Sequence, residues 1–255
     1  MKRARIAWAG AIHDAIQRDG RLELLTPGFK GRLLDFNDVV WLPPLAPMPP
    51  HRPRTVLALA INYADHAKEL AFKPPEEPLA FAKGAASLIG HRAFTVRPDG
   101  VQNMHYECEL AVVIGREARH VKRGDAYDFV RGYTVANDVT GRNLQKSDGQ
   151  WARAKGYDTF CPLGPWITTH QSVEEMGDVM ITTTVDGEQR QHGSTKLMIR
   201  DIVEQVVFIS SFTTLLPGDV ILTGTPAGVG ELLPGHEVSV TVEGIGTLTN
   251  TVIRK

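Results

Sequence analysis

His105-Tyr106-Glu107-Cys108-Glu109-Leu110-Ala111-Val112-Val113-Ile114-Gly115 reads as a buried β-strand that opens on two acids. Residues two apart in a strand share a face, so Glu107 and Glu109 point the same way with Cα atoms about 6.7 Å apart. Like charges on one face of a buried strand repel and raise each other's pKa, and a divalent cation between them would relieve that repulsion. Oxygen ligands suit Mg²⁺, Mn²⁺ or Ca²⁺ rather than zinc. The same Glu-x-Glu spacing also fits a solvated sheet edge that binds nothing.

Outward from this strand the chain is rich in short extended segments. Val56–Ala60, Gly132–Asn137, Ile181–Val185 and Val220–Thr223 read as strands, and Val238, Val240, Val242, Leu248 and Val252 alternate with the period of half-buried ones. Asp19-Gly20, Asp186-Gly187 and Gly244–Gly246 mark turns between them. The region 1–42 reads as a small β-rich appendage with strands at Arg5–Trp8, Ala11–Ile16 and Leu22–Leu25. WLPPLAPMPPHRP (Trp41–Pro53) has six prolines, so 43–53 is expected to be a stiff linker ahead of a main domain over 54–255. One longer helix is predicted over Lys196–Leu215, from the stripe of Ile199, Ile202, Val203, Val206 and Val207 behind a Ser194/Thr195 cap.

Composition narrows the function classes. The 255 residues are 42% hydrophobic, and 28 Lys plus Arg against 29 Asp plus Glu leave a net charge of −1, with no basic field for nucleic acid or anionic lipid. Twenty-four glycines and 16 prolines favour a turn-rich architecture over a helical bundle. Cys108 and Cys161 form no CxxC, so neither a disulfide framework nor a zinc finger is encoded, and a reducing cytoplasm is expected. Lys2, Arg3 and Arg5 precede the apolar Ile6–Ile12, but His13 and Asp14 cut that stretch short for a secretion signal. Signatures of dinucleotide, P-loop, zincin and nucleophile-elbow sites are absent from the sequence.

Other groups join the two glutamates as candidates. Asp138 ends the apolar strand Gly132–Asn137, where a side chain faces a cleft or caps the following helix. Arg142 and Gln145 stand three apart, on one face if that helix forms. Lys155 sits beside Gly156 in a Pro/Gly-bounded loop, placed to meet a substrate anion or simply solvent. His66 and Glu69 also stand three apart, either a surface pair or a carboxylate that orients an imidazole base. Leu222-Thr223-Gly224-Thr225-Pro226-Ala227-Gly228-Val229-Gly230 leaves a strand into a glycine-rich loop whose amides and Thr225 hydroxyl suit a carboxylate, or which is a plain loop.

In order, NYADHAKEL, HYECELAVVIG, GYTVANDVTGRNLQ, KGYDTFCPLGPW and ILTGTPAGVG resemble the fumarylacetoacetate hydrolase family over about residues 53–253. LAINYADHAKELAFKPPEEPLAF and PLGPW are most similar to its isomerase/decarboxylase branch in homoprotocatechuate (4-hydroxyphenylacetate) meta-cleavage. The resemblance implies an α+β fold of mixed, rolled β-sheets with few helices, a homodimer, and a Mg²⁺ or Mn²⁺ site. It implies Glu107, Glu109 and Asp138 as metal ligands, Lys155 as the basic catalytic residue, and His66 with Glu69 as a proton-transfer dyad. Arg142, Gln145 and Thr225 would contact the substrate. Three carboxylates around a +2 ion leave −1, and Lys155 brings that towards neutrality. The implied activity is isomerisation or decarboxylation of 2-oxo or 2-hydroxydienoic di- or tricarboxylic acids. Two alternatives are a C–C hydrolase of acylpyruvates and a non-catalytic binding module on the same fold.

Overall fold

Strand alternation places the two acids. In the computed structural model, which describes residues 1–47, 54–169 and 171–254, Cys108–Ile114 is buried along its whole length. Leu110, Val112 and Ile114 pack into the large core cluster, whereas Ala111 and Val113 on the opposite face pack with Val56, Ala58, Ala136, Cys161 and Leu222. Glu107 and Glu109 continue the second face, and Cys108 turns into the first. The pattern is that of a strand covered on both sides.

This strand is central in a twelve-stranded sheet. It pairs antiparallel with Val130–Asn137 on one side and Val220–Leu222 on the other, and Val220–Leu222 pairs parallel with Val56–Ala60, which pairs antiparallel with Leu79–Lys83. A five-stranded sheet runs in the order Glu188–Ser194, Met180–Val185, Glu237–Val242, Gly246–Arg254, Phe94–Arg97. The large core cluster draws on both sheets, and the second cluster lies on the face of the large sheet that carries the acids. The expected α+β architecture, sheet-dominated with short helices, is observed. Among the described residues no helix is long and apolar enough to cross a membrane.

Residues before the proline-rich segment form Lys2–Trp8, Ala11–Arg18, Arg21–Leu24, Leu33–Leu34 and Val40–Leu42, around a local core of Ile6, Leu22, Leu24 and Trp41. Lys2–Trp8 extends the large sheet through Cys161–Thr168, with Lys2 opposite Thr168. The last of these strands ends at Leu42. Residues 48–53 of the expected linker lie outside the described residues. Asp19 and Gly20 both take positive φ (48° and 78°), as do Asp186 and Gly187 (50° and 82°), the backbone that two-residue hairpins require.

The helix predicted over Lys196–Leu215 is shorter. A 3₁₀ turn at Thr195–Leu197 is followed by an α-helix over Ile202–Phe212. Asn62 breaks the longer helix: its carbonyl accepts from Ile199 N at 2.7 Å and its Oδ1 from Arg200 N at 2.9 Å, so both amides are diverted from an intrahelical ladder. The helix starts instead at Asp201, whose side chain forms a capping box with Glu204.

Candidate functional site

Register assembles the acids. Cys108 pairs antiparallel with Asn137, which brings Glu107 alongside Asp138, and Asp138 N donates to Glu107 O at 2.9 Å. Glu107, Glu109 and Asp138 are 4%, 1% and 1% exposed, and each offers a carboxylate oxygen within 4.8 Å of the other two.

Three cations answer them. Lys155 Nζ donates to Glu107 Oε2 at 2.7 Å and to Asp138 Oδ2 at 2.6 Å. Arg142 Nη2 pairs with Glu107 Oε1 at 2.5 Å, and its Nη1 donates to Gln145 Oε1 at 2.9 Å. Lys83 Nζ donates to Asp138 Oδ1 and, at 3.4 Å, to Val139 O. Lys155 lies on a short helix, Ala152–Gly156, not in the expected loop, and that helix buries its ammonium.

Lys83 is the residue that spacing did not reveal. It closes the apolar strand Leu79–Lys83, opposite Val56, and so falls on the face that carries the acids. The available signal was a lysine ending LAFAK just before Gly84. With it the buried charges are three carboxylates and three cations, balanced without an ion. Lys155 is thus joined by Arg142 and Lys83 as counter-charge, and a +2 ion would leave the cluster positive, suited to an anionic ligand.

The carboxylates do not share this compensation equally. Burial pushes Glu107 up, but Lys155 and Arg142 outweigh it and hold that carboxyl well below its ordinary range. Burial, with Asp138 and then Glu107 adding to it, pushes Glu109 well above its ordinary value, and its donor is the Gly224 amide at 2.6 Å. Burial opposes the charge on Lys155, yet Asp138 and Glu107 hold its pKa above normal. A buried, all-oxygen donor set with one carboxylate short of positive partners fits a hard divalent cation.

His66, Arg142, Gln145, Lys155, Gly224 and Thr225 line one cleft with the three acids. The helix Ala64–Glu69 carries His66, whose Nδ1 lies 2.9 Å from Glu69 Oε2. This helix is tied to the glycine-rich loop: Ala227 N donates to Asp65 Oδ2 at 3.2 Å and Gly228 N to Glu69 Oε1 at 3.0 Å. The N-cap of this helix is Tyr63, which makes no side-chain cap hydrogen bond. Thr225 is on the cleft wall, with its hydroxyl donated to Cys108 O at 2.8 Å and accepting from Gln191 Nε2 at 2.8 Å.

Gly224 is needed where it stands. Its φ is +94°, and an added Cβ would lie 2.8 Å from Asn62 Cβ. Gly224→Ala is expected to destabilise by about 1–3 kcal/mol, a fall in Tm of roughly 2–12 °C at this chain length. A thermal melt within 1 °C of wild type, by that rough scale, would contradict the assigned strain.

Residues 55–253 match the sequence profile of the fumarylacetoacetate (FAA) hydrolase C-terminal domain. The chain is 41% identical to the 4-hydroxyphenylacetate degradation bifunctional isomerase/decarboxylase of Escherichia coli, over 93% of this chain and 56% of that protein. The crystal structure of 5-carboxymethyl-2-hydroxymuconate delta-isomerase from Mycobacterium smegmatis superimposes with a TM-score of 0.88 at 44% identity, covering 100% and 99% of the two chains. Fumarylpyruvate hydrolase from Pseudomonas aeruginosa, solved with Mn²⁺ and pyruvate, gives a TM-score of 0.72 at 33% identity, covering 79% and 90%.

Proposed function

The chain belongs to the fumarylacetoacetate hydrolase family, and from that premise we propose that it is a divalent-metal-dependent isomerase/decarboxylase of 2-oxo or 2-hydroxydienoic acids in aromatic catabolism. The observation that carries the reading is the union of the acidic triad, the Lys155 ammonium and the His66–Glu69 pair around one cleft. We place the activity in the cytoplasm, in a homodimer whose site is built by residues 54–255; sedimentation at twice the chain mass is the expected result.

Glu107, Glu109 and Asp138 would hold Mg²⁺ or Mn²⁺, which when bound supplies Lewis-acid stabilisation of negative charge on a neighbouring oxygen. The rest falls to the chain. As the bond to the departing CO₂ breaks, or a double bond shifts, electron density accumulates on the substrate's 2-oxygen. Lys155, fixed between Glu107 and Asp138, presents its buried ammonium to that charge at no reorganisation cost. Arg142 holds Gln145 and retains a buried Nε–H with no partner among the described residues. The pair orients the substrate, and Thr225 fixes the loop against which its carboxylate rests. His66 donates Nδ1–H to Glu69, which leaves Nε2 to take a proton from carbon or return one.

Glu69→Gln is expected to lower kcat about 100-fold, the low end of a positioned acid–base contribution, while leaving metal and oxalate affinity unchanged. Equal losses in oxalate affinity would place Glu69 in binding rather than proton transfer. The whole site is tested by thermal shift with Mg²⁺ and oxalate, a 2-oxo-acid mimic. At a hundredfold its Kd a ligand stabilises by about 2.7 kcal/mol, or roughly 5–11 °C here, and the shift should require both components. Likeness to a hydrolase keeps a second reading, acylpyruvate C–C cleavage with His66 activating water. Release of CO₂ against release of a second carboxylate from a 2-oxo diacid separates the two.

A further inference from the structure

The cleft has two chemically different ends. Among the described residues lining it, the permanently charged cations are Arg142 and Lys155, and both are held on Glu107 or Asp138 at the base. Lys83 is also spent on Asp138. The remaining wall contains Leu70, Phe72, Phe81 and Trp151. Phe81 and Trp151 meet edge to face, with centroids 5.4 Å apart, and Lys155 Nζ lies 4.9 Å from the Phe81 centroid. The aromatic wall therefore begins where the charged base ends.

Phe72 extends that wall outward. Its amide donates to Ala67 O at 2.9 Å across a left-handed Ala71 (φ +56°), so it is folded back against the helix that carries His66. Half of its surface is exposed, and so is 45% of Leu79, which alternates with Phe81 along one strand. Phe72 thus presents an apolar surface at the edge of the cleft.

We infer that the end of the substrate remote from its 2-oxo acid group is apolar and uncharged, received by Phe72, Phe81 and Trp151. The inference rests on the proposed function for the identity of the acid end, and it narrows the di- or tricarboxylic class suggested by the resemblance. A second carboxylate against this wall would give up its hydration without gaining a positive partner. An alkyl or aryl tail gains by leaving water, about fourfold in affinity per buried methylene. The substrate class is then a 2-oxo or 2-hydroxydienoic acid with a hydrocarbon tail, and of the two proposed reactions it keeps the double-bond shift, because such a tail carries no second carboxylate to leave as CO₂.

The test uses non-reacting analogues with the same head. N-butyloxamate and N-(3-carboxypropyl)oxamate are titrated calorimetrically into the Mn²⁺-loaded full chain, with oxalate as the tail-free control. The butyl compound is expected to bind at least about tenfold more tightly than its carboxylated counterpart, by the methylene scale above plus the uncompensated charge. Phe72→Arg, a change at a half-exposed position, should narrow that ratio or reverse it while leaving oxalate affinity unchanged. Equal or tighter binding of the carboxypropyl compound by wild type overturns the inference, as does a ratio that Phe72→Arg does not move. If oxalate itself fails to bind, the proposed function fails and this inference with it; normal oxalate binding with no preference between tails defeats the inference alone.

Discussion

A Glu109→Gln variant is expected to lose turnover by about 10⁴-fold, equivalent to roughly 5 kcal/mol of transition-state stabilisation, and yet to be more stable than wild type in chelator. The two effects share a cause. Glu109 is buried beside Asp138 and Glu107, and its carboxyl is held well above the ordinary value of 4.5. An acid whose folded pKa is raised binds its proton more tightly when folded. Stability therefore falls as pH rises from the unfolded value towards the folded one, and stays lost above it. Glutamine cannot ionise, and its Oε1 still accepts from Gly224 N, so the variant escapes this loss. The Tm difference between variant and wild type in EDTA should be near zero at about pH 4 and grow as pH rises. Adding Mg²⁺ and oxalate should reverse the order, because the variant has lost a proposed metal ligand. Wild-type turnover, or a retained Mg²⁺-plus-oxalate shift, would remove Glu109 from the metal site.

The legibility of this site in the sequence follows the range of each interaction. Glu107 and Glu109 share a face because strands alternate, a local rule, and Cys108 turns away by the same rule. Helical spacing likewise brought His66 to Glu69 and Arg142 to Gln145. Lys83 needed more: its place depends on Val56 lying opposite it and on Val56–Ala60 reaching the acidic strand through Val220–Leu222, pairings that no local pattern specifies. The overlong helix at Lys196–Leu215 failed for a related reason. Its apolar period continues through Ile199, but the amides of Ile199 and Arg200 are taken by Asn62, 138 positions from Arg200. The Asp201–Glu204 capping box was readable and marks the true start. A local signal that competes with a periodic one deserves priority when it satisfies backbone groups that the period would leave to a distant partner.

Lys155→Met is expected to lower kcat about 10³-fold with a much smaller change in KM, and to reduce stability without cation. Methionine keeps the length and apolar stem of the side chain but deletes the ammonium shared by Glu107 and Asp138. Removing one partner of a buried ion pair costs about 3–5 kcal/mol, because the remaining charges stay buried, so Tm should fall by roughly 6–20 °C. The pH dependence has the opposite sign to that at Glu109. Glu107 is depressed by Lys155 and Arg142, so it contributes stability above its unfolded pKa, and that contribution is lost as pH falls through the folded value. Without Lys155 this contribution shrinks, and the Tm deficit of the variant should widen from acid towards neutral pH. Mg²⁺ should recover part of the lost Tm, since a +2 ion on Glu107 and Asp138 replaces the missing charge. It should not recover kcat, because the lost donor acts on charge that develops on the substrate rather than on the carboxylates. A pure KM effect would make Lys155 a ground-state contact, and a Tm unchanged from wild type would show that Arg142 and Lys83 suffice to hold the acids.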